Sequence, residues 1–114
     1  WRSGMSEIPV YDPNVLTSLI GDDQESINEY KSEFIKQCVP SLREIAAAFN
    51  KNDKNAVKEA AHYLKTSAKA VGAMRCASRL QAIEDTALAE QRAELKQHIT
   101  QLQMDIRDVK KEFV

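Results

Sequence analysis

Residues 53–72, DKNAVKEAAHYLKTSAKAVG, decide the fold class of this chain. Val57, Ala61, Leu64, Ala68 and Val71 recur at intervals of four and three, which puts them on one face of an α-helix. A strand, with its period of two, would scatter them over both faces. Asp53 stands where a side-chain oxygen caps free helix amides, and Gly72 stands where a helix ends in a left-handed residue.

The same periodicity extends in both directions. Toward the C-terminus come Cys76, Leu80, Ile83 and Ala87, then the most regular stripe, Leu95, Ile99, Leu102, Ile106, Val109 and Phe113. No Gly or Pro divides these two, and the turn between them is placed near Leu88 to Gln91. Toward the N-terminus, Ile27, Tyr30, Phe34, Cys38, Leu42, Ile45 and Phe49 describe one long helix. Asp22 and Glu25 have the spacing of a capping box for it, and Pro40 predicts a kink rather than a break. Asn50-Lys51-Asn52-Asp53 supplies the turn to the next helix. Asp12-Pro13 starts a short helix carrying Val15, Leu16, Leu19 and Ile20, which Gly21 stops. Four long amphipathic helices bury one another most simply as an antiparallel four-helix bundle. The chain is therefore expected to be all-α, with a short additional N-terminal helix.

Composition agrees. A chain of 114 residues suits a single domain, and three Gly, three Pro and 6% aromatics are few for a sheet protein rich in tight turns. Sixteen basic against 17 acidic side chains give a net charge of −1, which disfavours a nucleic-acid binder. No apolar run has the length of a membrane span or a signal peptide, so a cytoplasmic domain without direct membrane contact is expected. Cys38 and Cys76 lack neighbours at metal-binding spacing and fall on apolar stripes, as buried free thiols in a reducing compartment would. Trp1-Arg2-Ser3-Gly4 continues no pattern; residues 1–7 are set aside as linker and the domain is taken as 8–114.

One polar residue of the opening stretch carries chemistry. At about 100° per residue, His62 points roughly 140° away from the centre of the apolar stripe, toward solvent. Lys58, Lys65 and Lys69 lie at i−4, i+3 and i+7 on the same outward arc, and Glu59 is the one acid of this helix. Ammonium groups one turn from an imidazole make an anion site around a nucleophile. One ring nitrogen can attack phosphorus while the cations hold the equatorial oxygens. By spacing alone, the pattern also describes a solvated face with an incidental histidine. On either reading, Lys65 and Lys69 are expected in solvent and dispensable to the fold.

The string from His62 to Ala73, HYLKTSAKAVGA, resembles the signature of histidine-containing phosphotransfer (HPt) domains, His-x-Leu-Lys-Gly-Ser-Ser/Ala-x-x-Leu/Val-Gly-Ala. The resemblance continues through Leu80 to Ile83-Glu84. Before the histidine it covers Asp12, Val15-Leu16, Leu19, Gly21-Asp22-Asp23, Tyr30, Phe34, Pro40, Leu42 and Asp53, most like the C-terminal HPt domains of bacterial hybrid sensor kinases. It implies a helical bundle in which His62 accepts a phosphoryl group from a receiver-domain Asp and passes it to another receiver's Asp. Glu84, one place after core residue Ile83, then accepts a hydrogen bond from Nδ1–H and leaves Nε2 nucleophilic. Lys65 and Lys69 stabilise the phosphoryl group, while Lys58, Thr66, Ala70 and Ala73 face the docking partner. One position departs from the signature: Thr66 stands where the family usually has Gly, placing a β-branched side chain one turn from His62.

The resemblance implies partners rather than a cofactor: response-regulator receiver domains, which bring their own Mg²⁺, and a parent or cognate histidine kinase. No Gly-rich phosphate loop is present, so a phosphocarrier without its own ATP site is expected, acting as a monomer. Two other functions fit the same helices: the phosphorylatable domain of a chemotaxis-type kinase, and a docking adaptor that never carries phosphate. Ser67 is read as a small packing residue and His98 as a surface residue. Met74 and Met104 are read as core or rim packing, and Lys110-Lys111 as complementing the helix dipole.

Overall fold

Among the described residues, five helices make up the fold: α1 (Asn14–Ile20), α2 (Gln24–Asn50), α3 (Lys54–Val71), α4 (Met74–Leu88) and α5 (Arg92–Phe113). The computed structural model describes residues 8–113, so the segment 1–7 taken as linker lies outside the described residues, as does Val114. The turn between α4 and α5 falls at residues 89–91, where the sequence places it.

Local chemistry accounts for most boundaries. The Asp12 carboxylate accepts the Asn14 amide at 3.0 Å, and Pro13 already has right-handed helical angles (φ −66°, ψ −17°), a position where its missing N–H costs nothing. Asp53 caps α3 by accepting the Ala56 amide at 3.1 Å. Gly72 ends α3 at φ +86°, and a side chain there would also run into the Asp12 carbonyl. The Asp12 amide in turn donates to the Gly72 carbonyl at 2.8 Å, and Arg75 Nε donates to the Ile8 carbonyl at 3.0 Å. The leading segment is thereby pinned to the α3–α4 turn. α2 runs unbroken through Pro40. The capping box does not form, because the helix starts one residue later than the spacing suggested. Asp23 is the cap residue, Glu25 falls at the second helical position, and the Asp23 carboxylate takes the Ser26 hydroxyl at 2.7 Å instead.

The four long helices pack as a closed ring: α2 on α3, α3 on α4, α4 on α5, and α5 back on α2, with α1 across α2 and α3. Connections of two or three residues make successive helices antiparallel. Phe34, Ile45, Leu64, Leu80, Ile83 and Leu102 fill the centre, each 2% exposed or less. Cys38 and Cys76 are buried there as free thiols. Tyr30 lies on the α2 stripe by spacing yet is 50% exposed; an aromatic ring with a polar tip can rest its body on the bundle and keep its hydroxyl in water. At the far end, Arg92 stacks 3.9 Å over the Phe49 ring and donates to the Phe49 carbonyl and Asn52, tying the start of α5 to the α2–α3 turn.

Candidate functional site

α3 and α4 form an antiparallel pair, and their seam brings His62 beside Glu84. The His62 side chain is 56% exposed, and the nitrogen it turns toward α4 is Nδ1, 3.7 Å from Glu84 Oε2. That distance is longer than a hydrogen bond. Glu84 sits one residue beyond the fully buried Ile83, and its side chain is 8% exposed.

Lys65 is not in solvent. Its side chain is 10% exposed; Nζ lies 2.8 Å from Glu84 Oε2 and donates to Gln81 Oε1 at 2.8 Å. Lys65 follows Ala61 by four residues and precedes Ala68 by three, both fully buried. Its aliphatic stem therefore runs along the edge of the apolar stripe and delivers the charge into the seam. Glu84 Oε2 is fully enclosed, and the partner that compensates its charge there is the Lys65 ammonium at 2.8 Å.

The other site residues divide by exposure. Lys69 is exposed and makes no ion pair among the described residues. Lys58 is half-buried and lies 3.4 Å from Glu59. Thr66 is exposed, and its hydroxyl donates to the His62 carbonyl at 3.1 Å. Ala70 is exposed and Ser67 half-buried. Ala73, expected to face a partner, is 0% exposed. It occupies the position just before α4, inside the tight turn against the core, and so contributes nothing to a docking surface. With Lys65 neutralising Glu84 and Lys58 beside Glu59, Lys69 remains, among the described residues, the unpaired cation on the His62 arc.

Gln81 and Asp85 were not singled out by spacing. Gln81 Nε2 donates to Asp85 Oδ1 at 3.0 Å, so the two extend the Glu84–Lys65 contact along α4. The available signal was their place on the α4 face next to Glu84, three residues before it and one after.

His98 is half-buried rather than on the surface, with Nδ1 3.2 Å from Arg79 Nη1. Arg79 Nε donates to Asp105 at 2.8 Å, and the Asp105 side chain is 3% exposed. Burial and the Arg79 charge hold the His98 ring below its ordinary range. Met74 is half-buried and Met104 is 44% exposed at the rim. No group of three or more His, Cys, Asp or Glu able to hold a metal occurs among the described residues.

An accessible imidazole in a helical bundle, backed by a buried carboxylate, suits a carrier of a phosphoryl group made elsewhere. The sequence matches the Hpt domain family over residues 29–112, and the chain belongs to that family. It is a phosphorelay intermediate, a phosphocarrier whose counterparts are receiver domains and kinases. Among solved structures, it is similar to the crystal structure of histidine-containing phosphotransfer protein B (HptB) from Pseudomonas aeruginosa PAO1. The two are 23% identical with a TM-score of 0.84, covering 94% of this chain and 93% of that one, which establishes a shared fold. No curated protein matches the sequence. No helix among the described residues is long and apolar enough to cross a membrane.

Proposed function

We propose that His62 is the phosphoacceptor. The observation that carries this reading is the orientation of the ring: Nδ1 faces the buried Glu84 carboxylate while more than half of the side chain is open to solvent. A proton kept on Nδ1 leaves the Nε2 lone pair free. That lone pair attacks the phosphorus of a receiver's aspartyl phosphate. The N–P bond forms, the P–O bond to the aspartate breaks, and the carboxylate leaves with its electron pair. Positive charge then spreads over the ring, and Glu84 stabilises it across Nδ1–H. The reverse step hands the group to a second receiver's aspartate. Lys69, exposed and unpaired among the described residues, is the cation free to meet the phosphoryl oxygens; Lys65 must first loosen its hold on Glu84.

In this reading, the domain needs no cofactor of its own, the Mg²⁺ belonging to the receiver's site. It works as a monomer in the cytoplasm, as a module of a hybrid sensor kinase. Lys58, Thr66 and Ala70 border the docking surface. Incubation with a phosphorylated receiver tests the assignment: one acid-labile, base-stable phosphate should map to His62 by mass spectrometry and disappear in His62→Gln. Label retained in His62→Gln but lost in His98→Gln moves the acceptor to the other histidine. Label obtained only from a kinase domain with ATP favours the chemotaxis-type arrangement.

A further inference from the structure

The seam between α2 and α5 lies across the bundle from the α3–α4 seam, and it carries an open groove. The floor is apolar: Ile35 and Phe113 are half-buried, and Ile106, in an adjoining depression that shares Lys110, is 8% exposed. The rim is cationic. Lys31 and Lys110 border the groove, and Arg107 and Lys111 join Lys110 around the depression. None of these four forms an ion pair among the described residues. The Lys31 ammonium is held instead over the Tyr11 and Phe113 rings, 5.1 and 5.3 Å from their centroids, so no carboxylate compensates it. Lys36 also borders the groove, with Glu33 3.8 Å away, and Glu112 is the one carboxylate of the lining. In a chain of net charge −1, four unpaired cations on one face are a local excess. The helix dipole accounts for Lys110 and Lys111 in the last turn of α5, but not for Lys31 or Arg107.

We propose that this seam is a docking groove for an acidic amphipathic helix of a partner protein. Two antiparallel helices leave a trough that a third can fill, its apolar side chains at i, i+3, i+4 and i+7 entering the floor and its flanking carboxylates meeting the rim. From Ile106 to Phe113 the trough runs about 10 Å, two turns of such a helix. The apolar groups are recessed beneath the cations, whereas a face that binds a membrane presents projecting apolar side chains. α2 and α5 also make the least extensive contact of the four ring neighbours, which leaves this floor accessible. A helix seated there leaves His62 uncovered, so docking and phosphotransfer can proceed together.

The probe is a synthetic helical peptide of about 18 residues, with Leu at those four positions and Glu along both flanks, titrated into ¹⁵N-labelled protein. Amide shifts should concentrate in residues 28–36 of α2 and 103–113 of α5. Arg107 and Lys110 are exposed, so Arg107→Glu/Lys110→Glu spares the fold. It should weaken peptide binding about tenfold, the scale of two exposed ion pairs turned repulsive. A peptide with Gln in place of the four Leu should not bind, since it has nothing to bury in the floor. Transfer from a phosphorylated receiver to the double variant should match wild type. Equal affinity of the double variant, binding of the Gln peptide, or shifts centred on α3 and α4 overturns the proposal. Co-sedimentation with phosphatidylglycerol vesicles, when the peptide produces no shift, assigns the face to a membrane and overturns it as well. Slower transfer into the double variant places the face in a receiver's footprint, with the same result.

Discussion

Lys65 and Glu84 face each other across the α3–α4 seam, 2.8 Å from Nζ to Oε2, with each side chain about nine-tenths enclosed. The spacing of the lysines around His62 implied two similar cations on one arc. The structure separates them: Lys65 supports a buried charge, and Lys69 stands in solvent.

Their substitutions should therefore differ in stability. Lys65→Ala leaves an enclosed carboxylate without its counter-ion and should cost about 3 kcal/mol, whereas Lys69→Ala should stay within about 0.5 kcal/mol. Chemical denaturation of both variants checks this. Pairing Lys65→Met with Glu84→Gln should return much of the lost stability, because no charge is then left buried. Equal stability of the two single variants would show that Lys65 is solvated.

Thr66→Gly should speed transfer from a receiver by removing a β-branched side chain one turn from His62. It should also lower stability by roughly 0.5 kcal/mol, since Gly loses more backbone freedom in a helix. The Thr66 hydroxyl is bound back to the His62 carbonyl, so removing it also frees that carbonyl for water. Denaturation and single-turnover kinetics on the same pair of proteins separate the two effects. Slower or unchanged transfer would mean that the receiver accommodates Thr66.

The His98–Arg79 contact predicts a pH dependence of stability unrelated to transfer. Burial first, and then the Arg79 guanidinium, lower the His98 pKa from 6.5, while Glu94 and Asp105 oppose the shift. The unfolded ring therefore binds its proton before the folded one does. This contribution is intact above about pH 6.5 and is lost as pH falls from there through the folded value. Asp105 is shifted the other way by its burial, which Arg79 offsets in part, and it titrates from an ordinary value of 3.8. Stability measured from about pH 8 to about pH 5 should fall more in wild type than in His98→Gln. Parallel curves would show that His98 gains its proton without strain.

Both thiols should be inert while the bundle is folded. Burial pushes Cys38 up to about 12 and raises Cys76 as well, so neither supplies thiolate near neutral pH. Iodoacetamide should label them only in denaturant, at the rate of global unfolding. Rapid labelling of the native protein would mean that the core opens locally.

The apolar stripes were legible because each repeats a simple physical constraint many times over, and Asp53 and Gly72 because a cap and a left-handed turn admit few residue types. Lys65 and Asp105 were harder, although their positions held the clue. Lys65 lies between Ala61 and Ala68, and Asp105 lies three residues after Leu102 and four before Val109, on the α5 stripe itself. Charge alone argued for solvent, and only a counter-ion from the neighbouring helix reverses that, which one helix's periodicity does not contain. Ala73 has too little side chain to signal either environment. Gln81 acquires its place from Lys65 and Asp85 together, a relationship that exists only once α3 and α4 pack.

His62, Lys65, Gln81, Glu84 and Asp85 all belong to one helical hairpin closed by the turn at Gly72-Ala73. The α3–α4 interface is the most extensive in the bundle, while the α2–α5 seam is the least extensive of the four that close the ring. Partial opening of the molecule should begin at that seam, leaving the hairpin and its chemistry in register. Contacts close in sequence also form early during folding. Native-state amide exchange should accordingly find α3 and α4 protected in open forms where α5 has already exchanged, so that the machinery for carrying a phosphoryl group outlasts the closed bundle around it.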